Sequence, residues 1–404
     1  MLYRFEFENV YSFAGPQVID LRIRGGVPAD PERFARIWPG SEDWAPKVIA
    51  LFGANASGKS NVLRAAAFLA MFIADSFHFR TDLAIPVTRF LASVPEGPVR
   101  LAAEFAGLSR PDEPPGDTNP ACGYRYELAL DGGTNSPVRV AHEALSYRPH
   151  GTLRRRRLFA RDAQGRVVAA PEFGLAGLHT ALRRILRPDA GVLSTCAQLN
   201  HGLAKQLVQA TRLIFRNIVL EQQEADEGSV SGFLAGNPEI LQALARDLER
   251  ADLGVQGVEI VPWQNGMIPR FRHAGLGQPI GPLFESNGTR RFFRLYPLWA
   301  QALAAGGIAL IDELDQALHP TLLAEVVRWF HDPERNPHNA QLWMTCQSPA
   351  LLDELRKEEV FFTEKDREGR SRVYGLRDIT GVRRDENFAR KYLGGGYGAV
   401  PHLG

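Results

Sequence analysis

Lysine is scarce in this 404-residue chain: six residues, against 41 arginines. The charges still balance to +1, so the molecule as a whole is not an electrostatic glove for nucleic acid. The arginine bias has a plain source in GC-rich coding, and any basic patch must be assembled in three dimensions. Cysteine is nearly absent. Cys122, Cys196 and Cys346 are widely spaced and odd in number, which excludes a disulfide framework and a zinc site. Long apolar runs are missing too. The longest obvious one, residues 65–74, is ten residues, half of the roughly 20 that a membrane span needs. The opening MLYRFEFENV alternates apolar and charged residues and is no secretory leader. The ten histidines fall without metal-ligand spacing, and no Ser–His–Asp order, internal repeat or sustained heptad pattern is present. These absences predict a cytoplasmic protein without a membrane partner and without a dedicated metal cluster.

What is present is a globular balance, 45% apolar and 23% charged, enough for a sizeable core. At this length the chain holds two or three ordinary domains, or one large domain with an insertion. Period-2 alternation predicts strands at residues 3–10 and 17–23, followed by a Gly-, Pro- and charge-rich loop over 24–46. An apolar strand at 48–52 runs through a glycine loop into a helix over 60–76. Further strands are expected at 99–105, 124–130 and 138–147, with a four-proline loop over 109–123 between the first two. From about 174 to 253 the period shifts to three and four residues, which predicts an inserted helical segment over 178–186, 199–220 and 233–253. Asp252-Leu253-Gly254 reads as its glycine-capped end. Strands return at 255–262 and 268–273. A helix over 287–305, an apolar strand at 308–311, a helix over 321–330 and a strand at 341–345 then give an alternating α/β pattern.

Four motifs carry chemistry. Gly53-Ala54-Asn55-Ala56-Ser57-Gly58-Lys59-Ser60 fits G-x-x-x-x-G-K-[ST] between a strand and a helix. A chance match is expected in only about one chain of this length in two hundred, and the strand–loop–helix context lowers that further. Such a loop curls backbone N–H groups around phosphate oxygens at a helix N-terminus. Lys59 would reach the β- and γ-phosphates and the Ser60 hydroxyl would complete a Mg²⁺ shell. The strand Ile308-Ala309-Leu310-Ile311 ends in Asp312-Glu313, at the carboxyl end where α/β sheets place ligands. Asp312 suits Mg²⁺, and Glu313 suits polarising an attacking water. Ser286-Asn287-Gly288-Thr289 opens a helix 24 residues before Asp312, counted from Gly288, and can present N–H groups to a γ-phosphate. Gln347 ends the strand 341–345 and lies 34 positions after Glu313, where a side chain can touch that phosphate.

This ordered set resembles the ABC-type ATPase heads of the SMC and RecF group. FEFENVYSF, ESNGTRRFFRL, LIDELDQALHP, QSPALLD and the terminal KYLGGGYGAVP look more closely like the AAA-family ATP-binding proteins of abortive-infection systems, the RloA/AbiL-like ATPases and the ATPase part of OLD proteins. The resemblance covers most of the chain and is weakest over 174–253. It implies an α/β fold: an ABC-ATPase-like P-loop NTPase head with an antiparallel β-lobe and an inserted helical subdomain. The corresponding division is an N-terminal ATPase lobe at 1–173, the helical insertion at 174–254 and a C-terminal ATPase lobe at 255–404. It also implies ATP and Mg²⁺ as ligands, catalysis by Glu313, Gln347 and Lys59, and nucleotide contacts from Gly53, Asn55, Ser57, Gly58, Lys59, Ser60, Asn61, Ser286, Gly288 and Thr289. His319 takes the D-loop position, while Ser60 and Asp312 hold the metal. One departure stands out: relatives usually carry histidine where this chain has Gln347. The Toprim nuclease domain fused in OLD proteins is not expected in this sequence, whose stretch after Gln347 is short.

The function so implied is a slow ATPase in an anti-phage defence complex, a homodimer with ATP at its interface and a separate effector, for instance a Toprim-type nuclease. A RecF- or SMC-like repair ATPase that clamps DNA, and a nucleotide-gated scaffold with little hydrolysis, are the competing readings. The four arginines at 154–157 could grip phosphates or simply line a solvated edge.

Overall fold

In the computed structural model, residues 1–404 are described except 27, 81–84, 86, 91–96, 109–121, 134–135, 150–151, 153, 252–253, 385 and 402–404. The four-proline loop and the first two residues of the expected Asp252–Gly254 cap therefore fall largely outside the described residues.

Two sheets organise the chain. The N-terminal one is antiparallel throughout, formed by β1 (Leu2–Glu8), β2 (Gln17–Asp20) and five later strands. A short hairpin of β3 (Phe34–Arg36) and β4 (Trp44–Pro46) interrupts the region expected to be pure loop; Phe34 and Ala45 are buried, so it packs as structure despite its glycines and prolines. Then come β5 (Val48–Phe52) and α1 (Lys59–Asp75), which leave this sheet. The chain returns to it with β6 (Val99–Leu108), β7 (Cys122–Gly133), β8 (Ser136–Arg148), β9 (Arg156–Arg161) and β10 (Val167–Ala169). The order is β10-β9-β8-β7-β6-β1-β2.

Next follow α2 (His179–Ile185), α3 (Val192–Gln198) and α4 (Gly202–Thr211). The helix expected to run on to residue 220 stops here. Its continuation is β11 (Ile214–Arg216), which pairs in parallel with residues 308–310. A three-residue strand beside a buried partner is set by tertiary pairing, which periodicity cannot detect. Beyond it lie α5 (Glu227–Ala235), α6 (Pro238–Arg250), the hairpin β12 (Val255–Trp263) and β13 (Gly266–His273), and α7 (Asn287–Ala305). The last third adds β14 (Ile308–Ile311), α8 (Pro320–His331), β15 (Gln341–Thr345), β16 (Val360–Lys365), β17 (Ser371–Gly375) and α9 (Phe388–Leu393).

The second sheet has the order β11-β14-β15-β5-β16-β17, parallel except for β17. It draws strands from all three sequence segments 1–173, 174–254 and 255–404. Both faces are covered, which explains why β5 and β15 are buried at every position. Ile49 and Leu51 face the core shared with α1 and the antiparallel sheet; Val48, Ala50 and Phe52 face the core under α7 and α8. Gln341, fully buried, ties the two sheets by exchanging hydrogen bonds with Leu2 N–H and C=O at 2.8 and 3.0 Å. On the far side Ser371 N–H donates to Ser12 C=O at 2.7 Å. The stretch Lys59–His78 is long and apolar enough to cross a membrane, but twelve of the 17 α1 residues are buried in this core.

Candidate nucleotide site

The phosphate loop leaves β5 at the carboxyl end of the parallel sheet and becomes α1 at Lys59. Its conformation requires glycine at the first position. Gly53 has φ +149°, and a Cβ there would meet Thr363 C=O at 2.2 Å. Asn55 and Ala56 form the exposed apex, Ala56 with φ +60°. Ser57 points inward, its hydroxyl 2.7 Å from that of Thr363 on β16. Gly58 caps α1 in the left-handed conformation. Asn61 donates to Ser12 Oγ at 2.9 Å, joining the loop to the turn after β1. The opposite flank meets the C-terminal segment: Ala54 N–H donates to Ala399 C=O at 2.9 Å.

Lys59 is 6% exposed, and its ammonium donates to the loop carbonyls of Gly53 and Ala54 at 2.8 and 3.0 Å. Burial lowers its pKa, opposed by the negative charges of Asp315, Asp312 and Glu313. The phosphate-loop cation and the acidic strand end thus share one electrostatic site. The Ser60 side chain sits one residue further, half-buried at the start of α1.

β14 delivers the acidic pair, with β15 between it and β5. Asp312 is 3% exposed and accepts from Thr345 Oγ1 at 2.7 Å, while its backbone is bracketed by Asn217, whose amide side chain bonds both Asp312 N–H and C=O. Glu313 is less buried, and its φ of +51° is uncommon for a side-chain-bearing residue. Asp315 accepts from the backbone N–H groups of Gln347 and Ser348, both at 2.8 Å, which draws the end of β15 to the same edge. The Gln347 side chain is exposed beside it. A serine hydroxyl and an aspartate are hard oxygen ligands that fit Mg²⁺, and among the described residues no cluster of three or more His, Cys, Asp or Glu competes for it.

The Ser286 turn caps α7: Ser286 Oγ accepts from Thr289 N–H at 3.1 Å and meets Thr289 Oγ1 at 2.9 Å. Thr289 is fully buried and supports the cap, whereas Ser286 and Asn287 are exposed. Gly288 approaches the acidic loop so closely that a Cβ would lie 2.8 Å from Ala317 C=O. His319 is exposed and caps α8, its Nδ1 2.8 Å from Thr321 Oγ1. The motifs do not single out Asn217, Gln222, Asp315, Arg291 or Thr345, which the fold adds to this edge. Only Thr345, the polar end of an apolar strand, carries a local signal. Among the arginines at 154–157, Arg155 is paired with Glu104 at 2.5 Å, and the other three are exposed.

Residues 207–353, from α4 to just beyond β15, match the family described as "AAA domain, putative AbiEii toxin, Type IV TA system". Among solved structures, the chain is similar to the SMC head domain from Thermotoga maritima at 13% identity and a TM-score of 0.42, covering 93% of this chain and 98% of that one. No curated protein matches it. The phosphate loop between β5 and α1, the parallel sheet and the antiparallel lobe make this an α/β fold of the P-loop NTPase kind, and residues 207–353 are similar to an AAA domain.

Proposed function

We propose that this chain binds ATP with Mg²⁺ and hydrolyses it slowly, as a cytoplasmic homodimer that serves an abortive-infection-like defence complex with a separate effector, such as a Toprim-type nuclease. One observation carries the chemistry: the phosphate loop with Lys59 after β5 and the carboxylates of Asp312, Glu313 and Asp315 after β14 lie at the carboxyl end of one parallel sheet, with only β15 between the two strands.

With ATP present, Lys59 exchanges the carbonyls of Gly53 and Ala54 for β- and γ-phosphate oxygens, a stronger charge-assisted pairing. Ser60 and Asp312 would hold Mg²⁺, which would supply charge neutralisation at the transferring phosphate. Thr345 keeps Asp312 oriented for this. Glu313 orients the attacking water and accepts its proton, and the Gln347 amide donates to the γ-phosphate. Ser286 and Gly288, at an exposed helix N-terminus, meet the nucleotide held by a second copy. The defence role is supported by the AbiEii-type match over 207–353 and by the motif set FEFENVYSF to KYLGGGYGAVP.

Steady-state ATPase and ATP titrations of wild type, Lys59→Ala and Glu313→Gln test the chemistry. Hydrolysis should vanish in Lys59→Ala and fall to a small residual rate in Glu313→Gln, with ATP retained by Glu313→Gln. The defence role is tested by phage challenge of cells expressing the chain with its neighbouring genes. Plaques should return to the unprotected level with Glu313→Gln, and unchanged protection would remove that role.

A further inference from the structure

Arg291 sits one turn inside α7 from the Ser286 cap and is 4% exposed. A guanidinium buried to that degree persists only where it is well paired. Its pairing is concentrated on the acidic loop. One terminal nitrogen donates to Glu313 C=O at 2.7 Å and to Asp312 C=O at 3.4 Å; the other donates to Gln316 Oε1 at 2.5 Å and forms an ion pair with Glu224. Glu224 also binds Arg294 on the next turn of α7, at 2.8 Å, and Arg290 binds Glu227 at 2.7 Å. The segment after β11 is therefore clamped to the first turns of α7, with Arg291 at the inner end.

The geometry of Glu313 gives this clamp a purpose. Its φ of +51° is a conformation that costs a side-chain-bearing residue free energy and lasts only if its surroundings enforce it. Two hydrogen bonds do so, one on each side of the residue. Glu313 N–H donates to Thr345 Oγ1 at 2.7 Å, and Glu313 C=O accepts from Arg291. The Gln222 amide, in the orientation that satisfies both of its ends, lies 3.2 Å from Glu313 Oε2 and 3.3 Å from Arg291. Thr345 ties the residue to β15, and Arg291 ties it to the helix whose cap is the Ser286 turn.

We infer that Arg291 is a positioning residue that holds Glu313 in its left-handed conformation and so couples the aim of the general base to the seating of the Ser286 turn. The inference rests on the reading of Glu313 as that base. Lysine cannot replace the arginine, because a single ammonium does not span the two backbone carbonyls, Gln316 and Glu224 at once.

Arg291→Lys and Arg291→Met should lower kcat about tenfold or more while ATP affinity and KM stay within about twofold. The loss should disappear in a Glu313→Gln background, because the two residues act as one unit. A loss of equal size in that background, or a KM effect with kcat unchanged, overturns the inference. A crystal structure of either variant without nucleotide gives a reading independent of hydrolysis: Glu313 should relax to negative φ. Glu313 staying in the left-handed region would refute the positioning role even if turnover fell. A wild type without ATPase activity would instead count against the proposed function, and the crystallographic comparison would still decide the role of Arg291.

Discussion

Lys59 is held on two loop carbonyls in a buried setting, and what it exchanges for ATP is the question at the scale of a single residue. Each charge-assisted contact to a phosphate oxygen is worth about 1.5–3 kcal/mol, so Lys59→Ala should lower ATP affinity at least about tenfold by titration calorimetry. Gln347 can donate a hydrogen bond to a γ-phosphate but carries no charge to offset what develops during transfer. The missing stabilisation of about 1–3 kcal/mol corresponds to a roughly tenfold to hundredfold slower turnover than histidine would allow. Gln347→His should therefore hydrolyse faster and Gln347→Ala more slowly at saturating ATP, with affinity little changed; equal rates would remove any role for this side chain. Glu6, on β1, offers a pH test outside the site residues. Its hydrogen bonds to Arg125, helped by Arg4 and opposed by burial, hold its carboxyl at about 2, below the ordinary 4.5. A depressed carboxylate pKa contributes stability above the unfolded value and loses it as pH falls toward the folded one. Glu6→Gln should lower Tm at pH 6, and the difference from wild type should shrink between pH 4.5 and 2.

At the scale of elements, the N-terminus of α7 combines a helix cap with a close approach. Ser286→Ala removes the side-chain acceptor for Thr289 N–H and should cost about 1 kcal/mol in chemical denaturation. Ser286→Asp keeps an acceptor at the cap and should leave stability within about 0.5 kcal/mol of wild type. Gly288 differs, because any side chain there presses on Ala317 C=O of the same chain and disturbs the turn carrying Asp315. A Gly288 variant therefore damages its own acidic loop and cannot report cleanly on contacts with a second copy.

For the whole molecule, the phosphate loop lies at the carboxyl end of the parallel sheet, while the exposed Ser286 turn belongs to a helix that the chain reaches only after completing the antiparallel lobe and the helical segment. If Ser286 serves the partner's nucleotide, Ser286→Asp places a negative charge against a γ-phosphate and should abolish ATPase without unfolding the chain. Mixing it with Lys59→Ala creates heterodimers with one intact composite site. Such a mixture should recover roughly a quarter of wild-type activity if subunits exchange freely. No recovery, with heterodimers demonstrated by mass photometry, would show that the sites do not act in trans. Glu313→Gln, which keeps shape and loses the base, should accumulate the ATP-bound dimer in size-exclusion chromatography.

The sequence alone determined the features that local physics writes into neighbouring residues. Gly53 to Ser60 between an apolar strand and a helix specified a phosphate loop, because only glycines fit the backbone path that Thr363 and Ser57 leave open. The run 308–311 ending in two carboxylates specified a buried strand with its chemistry at the carboxyl end. The alternation of residues 3–10 and 17–23 likewise specified strands, while their antiparallel arrangement in one lobe was implied only by the family resemblance. Tertiary structure alone decided the rest. Ile214–Arg216 became a strand because an edge of the parallel sheet was there to pair with it, and the helical period around it gave no warning. β16 and β17, which follow Gln347, complete that sheet beside β5, and Thr363 then braces the phosphate loop. Asn217, Arg291 and Asp315 reach Asp312, Glu313 and Gln347 from positions 95, 22 and 32 residues away. Their hydrogen bonds exist only after the parallel sheet has brought the carboxyl ends of its strands together, and no spacing rule along the chain encodes that convergence.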